Sequence, residues 1–221
     1  MRKVELALTL LIGVLAALNA NATLVSIDNC VGANSCEITT TPPNPVVRDP
    51  NNGILLGWDE VQNFTLTEPL RVDRVFDPTA DFITALSDGD YLIAAGTVVA
   101  SHYFQWDPGN SSSGTVSATL VLDSQVFALI TSDQNLFASD EFLGLPNLDY
   151  ADFGNRGLES NDLAEFNGPN VDITWQATSP GDWTRLITAF SPTAPPPTPV
   201  PEPSSLFLLG LGVLGLLRLR R

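Results

Sequence analysis

Carboxylates and turn-forming residues are concentrated between residues 147 and 170. This segment carries Asp149, Asp152, Glu159 and Asp162, interspersed with glycines and asparagines. Calcium takes about six to eight oxygen ligands from carboxylates, amides and backbone carbonyls, and loops of this composition can supply them. The spacing matches no EF-hand or nonapeptide repeat, and the same residue types are common in solvated turns at strand ends. The segment is therefore either a calcium site with these four carboxylates as ligands or a set of ordinary turns.

Acid–base and nucleophilic chemistry finds few suitable residues. His102 is the only histidine, and strand spacing places it on an apolar face with Phe104 and Trp106, as a hydrogen-bonded core residue. Ser101 precedes it, but adjacent strand residues point to opposite faces and cannot form a nucleophile–base pair. The Gly-x-Ser-x-Gly, phosphate-loop and His-Glu-x-x-His patterns do not occur. We therefore expect no enzyme activity, and calcium is the one cofactor that the sequence suggests.

Large aromatic residues raise a third possibility, carbohydrate recognition by ring stacking. The candidates are Trp58, Tyr103, Trp106, Trp175 and Trp183. Trp106 and Trp175 fall on the apolar faces of their strands, which favours a place in the core. A calcium- or carbohydrate-binding module is thus the alternative to a domain without a ligand site.

Charge limits the partners of the region between the two ends of the chain. Residues 23–191 hold five arginines, no lysine and 23 acidic residues, a net charge of −18. Binding to nucleic acid or anionic lipid needs clustered positive charge, so neither is expected. Divalent cations and uncharged surfaces remain compatible, and an acidic coat also keeps an exported protein in solution.

The N-terminal end has the pattern of a targeting segment. Basic residues at positions 2 and 3 precede an apolar stretch at 6–18 and the small residues Ala20 and Ala22. This pattern predicts a signal peptide at residues 1–22 that signal peptidase removes, with a retained signal anchor as the alternative. In an oxidising exterior, Cys30 and Cys36 are then expected to form a short disulfide loop, free thiols being the other possibility.

The C-terminal end combines a short motif, an apolar segment and a basic terminus. Its parts are Pro201, Glu202 and Pro203, the uncharged segment 206–217, and Arg218, Arg220 and Arg221. As a helix the segment spans about 18 Å, well short of the roughly 30 Å of a bilayer core, so it predicts a marginal membrane helix. The arginines favour the cytoplasmic side, which leaves the preceding residues outside. An ordinary single-span anchor, or a tail packed on the domain, is the alternative.

This order of parts closely resembles the PEP-CTERM sorting signal of Gram-negative bacteria. The resemblance implies an exported protein with an inner-membrane intermediate, processed by exosortase and delivered to the cell surface or the medium. The Pro-Glu-Pro residues would be read by exosortase, the apolar segment would hold the substrate in the membrane, and the arginines would fix its orientation. Such proteins accompany extracellular polysaccharide and biofilm production. Residues 123–187 loosely resemble a recurrent ectodomain type of PEP-CTERM proteins, through Thr131-Ser132, Leu143-Gly144-Leu145-Pro146, Gly157-Leu158-Glu159 and Ser179-Pro180-Gly181-Asp182.

Period-two alternation dominates the region that must position any site. Val116, Ala118 and Leu120 alternate with polar residues, and Val171 to Ala177 read the same way. Short runs of this kind, broken by glycine, proline, asparagine and aspartate, predict a mainly β ectodomain at 23–190, an antiparallel β-sandwich or jelly roll with short helical turns. Ser139 is the expected cap of the best helical turn and Gly144 its end. The proline-rich residues 191–200 predict a linker to the sorting signal at 201–221.

Overall fold

The computed structural model describes residues 24–109, 113–178 and 180–190, which form a mainly β fold with one short helix. The mainly β prediction is thereby confirmed. The predicted signal peptide at 1–22, the linker at 191–200 and the sorting signal at 201–221 lie outside the described residues. Within the described ranges, no helix has the length and apolar character that crossing a membrane requires.

Fourteen strands and one helix follow one another along the described chain. In order they are β1 Leu24–Val31, β2 Ser35–Ile38, β3 Ile54–Asp59, β4 Phe64–Thr65, β5 Leu70–Val72, β6 Arg74–Val75, β7 Ile83–Ala85, β8 Tyr91–Ile93, β9 Val98–Trp106, β10 Gly114–Leu122, β11 Val126–Ile130, α1 Asp133–Leu143, β12 Leu163–Asn167, β13 Asn170–Ala177 and β14 Asp182–Thr188.

The first sheet is antiparallel, with the strand order β1-β10-β13-β12. Along β10 and β13 every second residue is buried and the residues between them are more exposed. The alternation predicted for these two strands is confirmed, because this sheet has one face on the core and one face in solvent.

The second sheet has the order β2-β3-β9-β14-β11-β6, with β4 also paired to β9. Its β2–β3 pair is parallel, so the prediction of a wholly antiparallel fold was wrong at this edge. Strands β9 and β14 are buried along almost their whole length, polar residues included. They are covered on both faces, which removes the alternation that marks a half-exposed strand.

Two apolar clusters lie on opposite faces of the second sheet. One packs against the first sheet and joins residues such as Phe104 and Trp106 to Val116 and Trp175. The other lies beneath α1 and the small antiparallel sheet β5-β8-β7, and its members include Trp58, Tyr103 and Trp183 from the second sheet. The second sheet is therefore the central layer of the domain, between the first sheet and the helical side.

Helix α1 begins earlier than the sequence predicted. Ser132, not Ser139, is the N-cap, and its side chain accepts a hydrogen bond from the Asn135 backbone N–H. Ser139 is buried in mid-helix, where its hydroxyl donates to the Asn135 carbonyl at 2.8 Å. A serine whose hydroxyl donates to a carbonyl of the preceding turn can lie inside a helix, so Ser139 does not mark the start of α1. Gly144 does end the helix, as expected.

The two cysteines are bonded to each other in the structure. Cys30 lies on β1 and Cys36 on β2, with their Cα atoms 6.1 Å apart. The disulfide therefore links the edge of the first sheet to the edge of the second.

Candidate functional site

Two groups of ionisable side chains meet on β14, at Asp182 and at Arg185. We call the first the acidic cluster, formed by Glu159, Asp162 and Asp182. We call the second the arginine network, which is centred on Arg185 and includes Glu60, Asp140, Tyr150 and Arg156.

The acidic cluster brings three carboxylates close together. One oxygen from each of Glu159, Asp162 and Asp182 lies within 4.8 Å of the other two. Asp162 and Asp182 are buried, whereas Glu159 lies at the solvent edge. The cluster therefore joins one exposed carboxylate to two buried ones.

Asp162 is held rigidly by backbone donors. Its Oδ2 accepts the Glu159 N–H and its Oδ1 accepts the Gln176 N–H, both at 2.7 Å. Asp182 is different, because it has 0% exposure and neither of its oxygens accepts a hydrogen bond from an N–H or O–H group of the described residues. Burying a carboxylate without a hydrogen-bond donor costs free energy, so we expect Asp182 to hold a proton or to bind a cation.

The loop that carries Glu159 and Asp162 is fixed to the second sheet. The Leu158 N–H donates to the Thr131 carbonyl at 2.8 Å, and the Gly157 carbonyl accepts the Trp183 N–H at 3.0 Å. Gly157 has φ +150°, and a Cβ there would lie 2.3 Å from the Thr131 oxygen. Only glycine fits this close approach, which sets the distance between the loop and Thr131 at the end of β11.

Arg74 lies beside the cluster and does not bond to its carboxylates. Arg74 donates to the backbone carbonyl of Asp162 at 2.7 Å and to that of Glu159 at 3.3 Å. Its hydrogen bonds go to peptide oxygens, not to the carboxylates. Arg74 therefore supports the shape of the loop and leaves the three carboxylates facing one another.

The electrostatics of the cluster follow from this crowding. Burial, followed by the charges of Asp162 and Glu159, raises the pKa of Asp182 to about 9. Loss of water and contact with Asp162 also raise the pKa of Glu159. The buried Asp107, whose Oδ1 accepts the Gly109 N–H, adds its charge to the field at Asp182. At neutral pH Asp182 therefore holds a proton unless a cation replaces it.

The arginine network has every charge paired. Arg185 and Glu60, both with 0% side-chain exposure, form a two-point ion pair with N–O distances of 2.6 and 2.8 Å. Asp140 accepts from Arg185 at 3.0 Å and from Arg156 at 2.8 Å. The remaining Arg185 nitrogen donates to the Ser139 hydroxyl at 2.6 Å. Two arginines thus face two carboxylates, which are the conditions under which buried charges are tolerated.

Two tyrosines complete the network. The Tyr150 hydroxyl donates to Glu60, and the Arg185 guanidinium carbon lies 5.3 Å from the ring centroids of both Tyr103 and Tyr150. Burial raises the pKa of both tyrosines, so both stay neutral. The network is a packed interior with balanced charges, and Asp140 and Tyr150 at its edge also line a surface groove.

The four predicted calcium ligands separate into two places. Glu159 and Asp162 enter the acidic cluster, where the structure adds Asp182. Asp149 and Asp152 line a surface groove beside α1 with Tyr150 and are not members of that cluster. One Asp149 oxygen accepts the Ala151 N–H at 2.9 Å, as an ordinary turn residue does.

Asp182 was missed by the sequence analysis. It follows a Ser-Pro-Gly turn about twenty residues after Asp162, and its position at the start of a strand resembles that of any turn aspartate. The one local signal was Gly181, which has φ +88° and passes close to the Trp106 carbonyl. That glycine marks a tight approach of two strands but does not identify a ligand.

His102 is a satisfied core residue, as predicted. It is fully buried, with Nδ1 2.7 Å from the Asp59 Oδ1 and Nε2 3.2 Å from the Thr188 hydroxyl. The neighbouring Ser101 donates its hydroxyl to Glu60 at 2.5 Å, within the arginine network. The two residues thus have separate partners and do not form a nucleophile–base pair.

The aromatic residues proposed for sugar stacking are all inside the domain. Trp58, Tyr103, Trp106, Trp175 and Trp183 each have 0% exposure. Trp58 stacks on Tyr103 with ring centroids 4.9 Å apart, so these rings pack against protein. This set therefore cannot offer a stacking surface to a carbohydrate.

Comparison with known proteins identifies the C-terminal segment. Residues 199–221 match the family described as the PEP-CTERM protein-sorting motif. No curated protein and no solved structure matches the chain. The matched segment contains all the predicted sorting residues, and it implies exosortase processing and membrane anchoring of the C-terminal segment. This chain is an exported protein that carries a PEP-CTERM sorting signal, with a membrane intermediate and a cell-surface or extracellular end state.

Proposed function

We propose that this protein is a non-catalytic component of the cell surface or extracellular matrix, which exosortase releases from its membrane intermediate. The observation that carries the proposal is the sorting motif at residues 199–221. Association with extracellular polysaccharide or biofilm matrix is the finer part of the proposal and comes from the resemblance of the sorting signal.

The side chains that could act as nucleophile or base already have partners inside the protein, which supports a non-catalytic role. His102, Ser101 and Glu60 are buried, and each is bonded to a protein partner. A general base or nucleophile must reach a substrate atom, which these groups cannot do without opening the core.

A polysaccharide contact would have to use hydrogen bonds and not ring stacking. The outer face of the first sheet carries paired hydroxyl and carboxylate groups, with Thr119 donating to Asp172 at 2.6 Å and Ser117 lying 3.0 Å from Thr174. Polar groups of this kind can bond to sugar hydroxyls. We therefore assign the carbohydrate-binding alternative to this face and the calcium-binding alternative to the acidic cluster.

Intact-mass spectrometry of the protein from cell envelope and medium, with and without exosortase, tests the processing step. We expect a product that lacks the residues after the Pro-Glu-Pro region only when exosortase is present. Replacing Pro201, Glu202 and Pro203 together by alanine should abolish that product, whereas Pro196→Ala in the linker should not. A full-length C-terminus in both strains would contradict the proposal.

Fractionation of the extracellular matrix tests the finer part. We expect the processed protein to sediment with polysaccharide and to move to the soluble fraction after a polysaccharide-degrading enzyme is added. Sedimentation that does not respond to that enzyme would remove the matrix role and leave the processing result unaffected.

A further inference from the structure

We propose that Glu159, Asp162 and Asp182 form a calcium site that ties the two large sheets together. The acidic cluster lies in the described domain and not in the sorting signal. The proposal therefore stands whether or not exosortase processes the chain.

The first argument is the buried carboxylate without a donor. Asp182 has 0% exposure, and neither of its oxygens receives a hydrogen bond from the described protein. Its oxygens point to the other two carboxylates, within 4.8 Å, and not to an arginine. Buried polar atoms in proteins almost always have partners, and among the described residues Asp182 faces only other carboxylates, so it either shares a proton with Glu159 or binds a cation.

The second argument is the contrast with two other acids of this chain, Glu60 and Asp140. Glu60 and Asp140 receive Arg185, and Asp140 also receives Arg156. Arg74, the arginine beside the cluster, binds the carbonyl oxygens of Glu159 and Asp162. The fold thus places an arginine at Glu60 and at Asp140, whereas Arg74 donates to peptide oxygens beside the acidic cluster and not to its carboxylates. We infer that the cluster takes a cation that is not a side chain.

The third argument is the chemistry of the donor set. Three carboxylates are hard oxygen ligands, which favour calcium or magnesium over the softer metals that take histidine or cysteine. Magnesium demands a near-octahedral shell and keeps most of its water, whereas calcium accepts irregular protein cages. Two buried carboxylates and one at the solvent edge suit calcium, and extracellular modules bind it at roughly 0.1–1 mM.

The location gives the ion a structural role. Asp182 begins β14 in the second sheet, and Asp162 is bonded to Gln176 on β13 in the first sheet. Glu159 belongs to the loop that Gly157 fixes to Thr131 and Trp183. An ion held by all three carboxylates would therefore join both sheets and the loop between α1 and β12.

Thermal unfolding of the full chain in detergent near pH 8, with added CaCl₂, tests the site. We expect about 1–10 mM calcium to raise Tm by about 3 °C, since ligand at tenfold its Kd stabilises the folded state to that degree. Asp182→Asn and Glu159→Gln should lose this rise. Asp152→Asn, an exposed acid in the same segment, should keep it and serves as the matched control.

Three results would overturn the proposal. No rise in Tm and no calcium binding by isothermal titration in the native chain would remove the site. An equal rise from NaCl at matched ionic strength would show charge screening only, and an equal or larger rise from MgCl₂ would overturn the assignment to calcium. Retention of the response in Asp182→Asn with its loss in Asp152→Asn would move the site to the groove beside α1.

Because the amide introduced by Asp182→Asn imitates the neutral carboxyl, that variant is expected to fold. The mass of the exported product is unaffected by any of these outcomes.

Discussion

The arginine network and the acidic cluster are two buried polar centres on the same strand, and they treat charge in opposite ways. At Arg185 two cations face two carboxylates, and every nitrogen of the Arg185 guanidinium donates a hydrogen bond. Three residues away at Asp182, three carboxylates face one another, and Arg74 beside them donates to backbone oxygens instead. The first centre is complete within the chain, whereas the second needs a proton or an ion.

The arginine network is therefore structural, whereas the acidic cluster can respond to pH and to calcium. Between pH 5 and pH 9 the tyrosines of the arginine network stay protonated and its arginines stay charged, while burial raises the pKa of Asp140 and its two arginines oppose that shift. The acidic cluster exchanges protons in that range, because the pKa of Asp182 is about 9. Dependence on pH or calcium should therefore trace to Asp182 and not to Arg185.

Arg185→Met should give the largest loss of stability. It leaves Glu60 buried without its cation, and removal of one partner of a buried ion pair costs about 3–5 kcal/mol. Chemical denaturation of the full chain measures the loss. Arg71→Ala is the control, because its ion pairs with Asp88 and Asp90 lie at the surface, where such pairs contribute little to stability. Equal losses for the two variants would contradict the description of Arg185 as the centre of a buried network.

Asp182→Asn should remove a pH dependence from the calcium-free protein. The folded state raises the pKa of Asp182 above its unfolded value, so it binds a proton that the unfolded chain releases. The stability that this proton contributes is fully present below about pH 4 and is lost as the pH rises toward 9, by roughly 1 kcal/mol per pH unit.

The two proteins should therefore have similar stability near pH 4, with the variant more stable near pH 8. Denaturation of both proteins across this range measures the difference. A constant difference between them would show that Asp182 ionises as it does in the unfolded chain.

Gly157→Ala should move the loop of the acidic cluster and leave the arginine network in place. The added methyl would lie 2.3 Å from the Thr131 carbonyl at φ +150°, and backbone strain of this kind costs about 1–3 kcal/mol. We expect lower stability and weaker calcium binding. Gly154→Ala, where no atom lies within 4 Å of the new Cβ, is the matched control. Unchanged calcium affinity in Gly157→Ala would separate the loop from the site.

The sequence predicted the parts of the fold that have one face in water. Alternation along β10 and β13 was readable because the first sheet is half exposed. Strands β9 and β14 are covered on both faces, so spacing placed His102 in the core but gave no sign that Ser101 and Arg185 are buried as well. The parallel β2–β3 pair also left no local signal, because pairing direction depends on tertiary contacts.

The sequence predicted that the candidate site consists of carboxylates, but it did not predict which carboxylates form the site. Glu159 and Asp162 were selected together with Asp149 and Asp152, since all four carboxylates occur in one loop-rich segment. Along the chain the two pairs flank Arg156, which is buried and bonded to the Tyr150 carbonyl and to Asp140. Asp182 joins because the loop bonds to β14 through the Trp183 N–H and the Gly157 carbonyl, a contact that no spacing along the chain encodes. Arg185 was missed for the same reason.

The most direct test of the central claim is the number of protons released when calcium binds near pH 8. The full chain and Asp182→Asn are titrated with CaCl₂ in weakly buffered solution while the pH is recorded. Because the pKa of Asp182 is about 9, its carboxyl is mostly protonated under these conditions. We predict close to one proton released per calcium ion bound by the native chain, and none by the variant. Calcium binding without proton release, or equal release by both proteins, would contradict the account of Asp182 as a carboxylate that exchanges its proton for an ion.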